Sequence, residues 1–88
     1  MLLAQLPGWR LAEGEPLKLA RTLKRKDFAG AMAFVNRVAD LAEAEGHHPD
    51  ICVSWNRATL ELFTHAIGGL SENDFIMAAK INELAADP

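Results

Sequence analysis

The sequence has a single cysteine, Cys52, so no disulfide can form within the chain, and a reducing compartment is the expected setting. It has no excess of basic residues: 9 Lys and Arg stand against 12 Asp and Glu, for a net charge of −3. That argues against a general nucleic-acid binder, which is ordinarily basic. No apolar run approaches the length of a membrane span. The opening "MLLAQLPGW" lacks a charged leader and its apolar stretch is short for a signal peptide, so a cytoplasmic protein is expected. There is no internal repeat and no low-complexity tract. With half of its 88 residues hydrophobic, the chain has a globular composition and the length of one domain, spanning residues 1–88. A core this small is marginal alone, so self-association is expected.

The patterning predicts alternating short elements. Residues 2–6 suit a helical turn stopped by Pro7-Gly8. "WRLAE" (9–13) reads as a first strand and "GEP" (14–16) as a turn. In "LKLARTLK" (17–24), Leu17, Leu19 and Leu23 alternate with polar or small residues, as in a half-buried strand. Arg21 interrupts its apolar face, which suggests an edge or rim position. Asp27 suits an N-cap, followed by an apolar stripe of Phe28, Ala31, Met32, Val35, Val38, Ala39 and Ala42 at helical spacing. Gly46 suits the left-handed residue after that helix, and Pro49 prevents continuation. "ICVSW" (51–55) and "ATLELFTH" (58–65) read as strands joined by a tight turn at Asn56-Arg57. Ser71 and Asp74 form a capping-box pattern ahead of a last helix that buries Met77, Ala78, Ile81, Leu84 and Ala85. The expected fold is α+β: a four-stranded, mainly antiparallel sheet with helices on one face, in β-β-α-β-β-α order. The other sheet face carries Thr59, Glu61 and Phe63 and is mixed.

Two of the three histidines, His47 and His48, stand side by side between Gly46 and Pro49. With a turn at Asn56-Arg57, Trp55 faces Ala58, Val53 faces Leu60 and Ile51 faces Leu62; carried outward, the register sets His48 across from His65. The carboxyl end of a helix favours an imidazolium, and Glu43, one turn before His47, acts in the same sense. Such a group suits proton transfer. Blander readings stand beside this one. Adjacent histidines after a helix commonly serve as cap or surface residues, and a metal site is disfavoured because no spacing such as H-x-x-x-H occurs. Asp74 equally fits a cap, Trp55 a core position, Glu43 a solvated helix carboxylate, Cys52 a passive strand residue, and Lys24-Arg25-Lys26 a solvated loop.

The wider spacing is more specific. Glu43, three residues, His47-His48-Pro49, five residues, Trp55, nine residues, His65, eight residues and Asp74 resembles the signature of the pterin-4a-carbinolamine dehydratases. The likeness extends from "LPGW" through "DFAGAMAFVNRVADLAE" to "THAIGGLSENDFIMAAKI", nearly the whole chain. The resemblance implies an enzyme that removes water from 4a-hydroxytetrahydropterin to give quinonoid dihydropterin, with no metal and no organic cofactor besides the pterin substrate. It implies His47, His48 and His65 as the catalytic set, with His47 and His65 as the acid–base pair and His48 chiefly binding. It further implies Glu43, Pro49, Trp55 and Asp74 as substrate-site residues. A homodimer or homotetramer is implied, as is a link to an aromatic amino-acid hydroxylase pathway; no nucleic acid or membrane is expected as a partner. Family members often carry a polar or acidic residue just before the histidine pair. Here it is Gly46, which bears on substrate affinity rather than on reaction type. The alternative is a non-catalytic interaction or dimerisation module of the same fold, since an animal member also serves as a dimerisation cofactor of a homeodomain transcription factor.

Overall fold

A computed structural model describes residues 6–86. The expected turn at residues 2–6 therefore lies, but for Leu6, outside the described residues. The elements are β1 (Arg10–Ala12), β2 (Lys18–Lys24), α1 (Phe28–Glu45), β3 (Asp50–Ser54), β4 (Arg57–Leu62), a 3-10 turn at His65–Ile67, and α2 (Glu72–Ala86). The strands form one sheet in the order β1-β2-β4-β3, with every pairing antiparallel.

Two-residue alternation builds the core face. Leu19 of β2 pairs with Leu62 of β4, Leu23 with Ala58, and Ile51 of β3 with Leu60, so these side chains share one side. Against it lie Ala31, Phe34, Val35, Val38 and Ala42 of α1 and Met77, Ala78 and Ile81 of α2. Leu19, Leu60 and Leu62 are all but fully covered, and truncating any one to alanine costs about 2–5 kcal/mol in such a setting. The buried stripe of α1 differs from the expected one. Phe34 belongs to it, covered on its outer side by the Arg25 guanidinium 4.9 Å from the ring centroid, whereas Phe28 is 52% exposed and Ala39 is also exposed. Arg25 is accordingly half-buried rather than a solvated loop residue.

Arg21 does not mark an edge. β2 lies inside the sheet, and Arg21, opposite Leu60, shares the helix-facing side. Its guanidinium donates to Oδ1 of Asn82 on α2, which also accepts from Trp9 Nε1 at 2.7 Å, while Asn82 Nδ2 donates to the Pro7 carbonyl at 3.2 Å. Burial, and then the neighbouring Arg25 charge, lowers the Arg21 pKa from the usual arginine value. Gly8 is required in this clamp: its φ is +87°, and a Cβ there would sit 2.8 Å from Arg21 Nε.

The β3–β4 turn is Trp55-Asn56, not Asn56-Arg57. Ser54 pairs with Arg57, Val53 with Ala58 and Ile51 with Leu60. A slip of two residues leaves every side chain on its expected face, so apolar patterning is blind to it. Long-range bonds decide the register. Asn56 is buried, its Nδ2 donates to the Arg25 carbonyl at 3.0 Å, and its own carbonyl accepts from the Arg25 N–H at 2.8 Å. Trp55 takes φ +49° to make the turn, a left-handed conformation that costs a non-glycine residue about 1 kcal/mol. β4 ends at Leu62 instead of running to His65, because Thr64 pairs with Gly69 through both backbone groups, at 2.7 and 3.3 Å, and the chain doubles back.

Candidate active site

The site begins where α1 stops. Asp27 caps its start by accepting from Gly30 N–H at 2.8 Å. At the other end Gly46, at φ +66°, returns its N–H to the Ala42 carbonyl, and His47 N–H reaches the same oxygen at 3.2 Å. The backbone of the histidine pair is thereby bolted to a packed helix. The left-handed turn also sends the two imidazoles to different partners.

His47 Nε2 lies 2.6 Å from Oδ1 of Asp74, a carboxylate with no solvent exposure. The other oxygen, Oδ2, accepts from the Ser71 N–H at 2.9 Å and from Thr64 Oγ1 at 2.9 Å, with Ser71 Oγ 3.5 Å away. The Ser71–Asp74 capping pattern is thus half realised: the acid reaches back to the backbone, and the same acid holds a histidine. An ionised carboxylate only accepts, so Nε2 carries the hydrogen and a neutral His47 leaves Nδ1 with its lone pair free. Capping and histidine anchoring are therefore compatible roles for one side chain.

His48 Nε2 meets Glu43 Oε2 at 2.5 Å, with both side chains largely in solvent. Glu43 thus partners His48, contrary to the expected action on His47. An exposed pair of this kind is weak and salt-sensitive. His65 opens the 3-10 turn, with its ring centroid 4.3 Å from that of Phe63 and the planes tilted by 54°. Lys18 Nζ lies 4.9 Å over the Phe63 ring and 3.5 Å from Glu61, within reach of Asp50 at 3.8 Å.

Around these groups is a pocket of about 350 Å³, lined by Gly46, His47, His48, Pro49, Asp50, Phe63, Thr64 and His65. The three histidines and Pro49 are brought together. The route differs from the expected one: β3 begins at Asp50, opposite Glu61, so the ladder does not reach His48, and His65 arrives on the turn after β4. A smaller cavity of about 150 Å³, lined in part by Asn73, Ile76 and Met77, shares Gly46 and His47 with the first. A Cβ at Gly46 would meet no atom within 4 Å, so a side chain there has room at the pocket wall but an unfavourable backbone.

Trp55 is not brought to this pocket. It occupies the turn at the opposite end of β3 and is 66% exposed, which excludes the core role as well. Cys52 lies exposed on β3. Phe63 and Thr64 also line the pocket, and Thr64 and Ser71 bond Asp74, three residues outside the expected site set. The only signal for Phe63 was its place on the second sheet face. Thr64 carries no signal beyond flanking His65, and Ser71 is marked only by its capping-box spacing to Asp74. Among the described residues, no group of three or more His, Cys, Asp or Glu side chains is arranged to hold a metal ion, and no helix is long and apolar enough to cross a membrane.

The chain is similar to known proteins in sequence and in fold. Residues 1–84 match the family described as pterin 4 alpha carbinolamine dehydratase. A relative from Arabidopsis thaliana, pterin-4-alpha-carbinolamine dehydratase 2, mitochondrial, is 54% identical over 98% of this chain; the chain spans about half of that protein, 47% of its length. Among solved structures, a transcriptional coactivator/pterin dehydratase from Brucella melitensis superposes with a TM-score of 0.88 at 37% identity, covering 96% of this chain and 88% of its own. A pterin dehydratase-like protein described as a RuBisCO assembly factor in the alpha-carboxysome superposes with a TM-score of 0.76 at 26% identity, covering 92% of this chain and 93% of its own.

Proposed function

This chain belongs to the pterin 4 alpha carbinolamine dehydratase family, and on that premise we propose that it removes water from 4a-hydroxytetrahydropterin to give quinonoid dihydropterin. The observation that carries the reading is the meeting of all three histidines around one pocket, with His47 anchored to a buried carboxylate. The reaction breaks a carbon–oxygen bond next to a ring nitrogen. A proton must reach the leaving hydroxyl while another leaves the pterin ring, so one donor and one acceptor are needed and no electrons are exchanged. His47, whose Nε2–H is committed to Asp74, offers Nδ1 as the acceptor. His65, on an exposed turn that solvent can reprotonate, supplies the proton to the departing oxygen. His48 binds substrate at the rim, and Phe63 and Pro49 form pocket wall. The pterin is the substrate and no further cofactor takes part. The enzyme works as a homodimer or homotetramer and regenerates pterin for a hydroxylase of aromatic amino acids.

A stopped-flow assay of carbinolamine decay coupled to a dihydropterin reductase tests this. Wild type accelerates the decay, and His47→Ala and His65→Ala each lower kcat by about 10²- to 10⁴-fold. Wild-type protein that leaves the spontaneous rate unchanged would refute the reading.

The names of the two structural relatives favour a second function beside the first, that of an interaction module. The sheet side away from the helices, which carries Thr22, Cys52 and Thr59, offers a surface for it. Capture of a defined partner that persists after all three histidines are replaced would separate this function from catalysis.

A further inference from the structure

Thr64 sits at the N-cap position of the 3-10 turn that carries His65, yet its hydroxyl makes no cap bond to that turn. A threonine at such a position ordinarily satisfies the free N–H groups of its own turn. Here it turns away and reaches Asp74 Oδ2 at 2.9 Å, while Ser71 Oγ lies 2.6 Å from Thr64 Oγ1. Hydrogen counting sets the direction of this chain. The carboxylate only accepts, and Thr64 has one hydroxyl hydrogen, which goes to Oδ2. The short Ser71–Thr64 contact then requires Ser71 to donate to Thr64. The order is Ser71 to Thr64 to Asp74, with His47 Nε2–H donating to the other carboxylate oxygen at 2.6 Å. The Thr64 backbone is held just as firmly, since its N–H and carbonyl both pair with Gly69 and close the loop that bears His65.

We propose that Thr64 is a positioning residue that couples the two proton-transferring histidines. Its hydroxyl orients the Asp74 carboxylate, and through it the His47 ring, while its backbone sets the turn from which His65 projects. The catalytic half of this assignment rests on the dehydratase reading; the coupling of Thr64 to the His47 ring does not. Valine, which matches threonine in shape but lacks the hydroxyl, leaves Oδ2 short of a donor and frees the carboxylate to rotate. Serine restores the donor.

The experiment is a cycle of Thr64→Val, Thr64→Ser and Ser71→Ala, each made in wild type and in His47→Ala. It is read by kcat, by KM, and by the ring-nitrogen NMR signals of His47 in the full chain. Thr64→Val is expected to lower kcat about tenfold with KM within about twofold of wild type. It shifts the neutral His47 ring from the Nε2–H form toward a mixture of tautomers. Thr64→Ser recovers at least about half of kcat together with the wild-type ring signals, and Ser71→Ala has a smaller effect of the same sign. In the His47→Ala background Thr64→Val lowers the residual rate by less than about twofold, because its route is already gone. A full tenfold loss in that background, or unchanged His47 signals in Thr64→Val, would overturn the proposal. Should Thr64→Val not fold, unchanged His47 signals in Ser71→Ala combined with a loss in Thr64→Ser would overturn it equally. The spectra need no turnover, so inactive wild-type protein would sink the dehydratase reading and leave the coupling to be decided by the ring signals.

Discussion

The two ends of the β3–β4 hairpin meet the same physical problem with different materials. At the turn end, Asn56 is buried and ties the hairpin to Arg25 with two hydrogen bonds, at 3.0 and 2.8 Å. At the histidine end, Asp74 is buried and ties the chain after α1 to the loop after β4. Both are polar groups taken out of water and fully partnered, as buried polar groups must be. They differ in what the partners can do. Arg25 offers backbone groups that do not titrate, so the turn end holds shape. Asp74 holds an imidazole at the wall of a pocket, so the same device also orients a group whose chemistry suits proton transfer. What separates the two buried polar residues is the chemistry of the partner and the space beside it, and the proposed function rests on that difference.

Substitutions at the two ends separate the cases. The largest effect is expected for Asp74→Asn, which keeps the shape but offers an amide where His47 needs an acceptor; kcat falls by about 10²- to 10⁴-fold in the coupled assay. A loss below about tenfold would show that His47 is held adequately without the carboxylate. Asn56→Ala is expected to lower stability by about 1–3 kcal/mol in urea titration, since it removes the donor to the Arg25 carbonyl, while kcat stays within about twofold of wild type. A comparable fall in kcat would mean that the two ends communicate through the strands. The smallest effect belongs to Glu43→Gln. Its partner His48 is exposed, so kcat/KM changes by less than about threefold at physiological ionic strength, and by less still when salt is raised.

His47 and His48 show on a smaller scale what could be read before the fold was known. Their position after a helix, with Gly46 and Pro49 as punctuation, followed from local rules, and the αL turn at Gly46 obeys them. Their partners did not. One turn of helix separates Glu43 from His47, and helical geometry alone would join those two. Gly46 ends the helix before that geometry applies, and the residue reached by His47 lies 27 positions further on. Arg21 was misplaced for the same reason, since its partner Asn82 is 61 residues away on α2. The hairpin turn sits one residue earlier than expected, which shifts the pairing by two, because period two cannot register a two-residue slip.

The sequence by itself determined the order of elements, their faces and the family. Apolar spacing, capping residues and turn residues act over a few positions, and the signature residues are countable along the chain. Only the tertiary structure decided that the pocket is made by the ends of α1, β3 and β4, that Trp55 stands at the far end of β3, and that Phe63 and Thr64 line the site. It also decided that one buried carboxylate caps α2 and holds His47 together. Those outcomes depend on register, on burial and on which distant groups satisfy each other once water is excluded, and such pairings are made in space rather than along the chain.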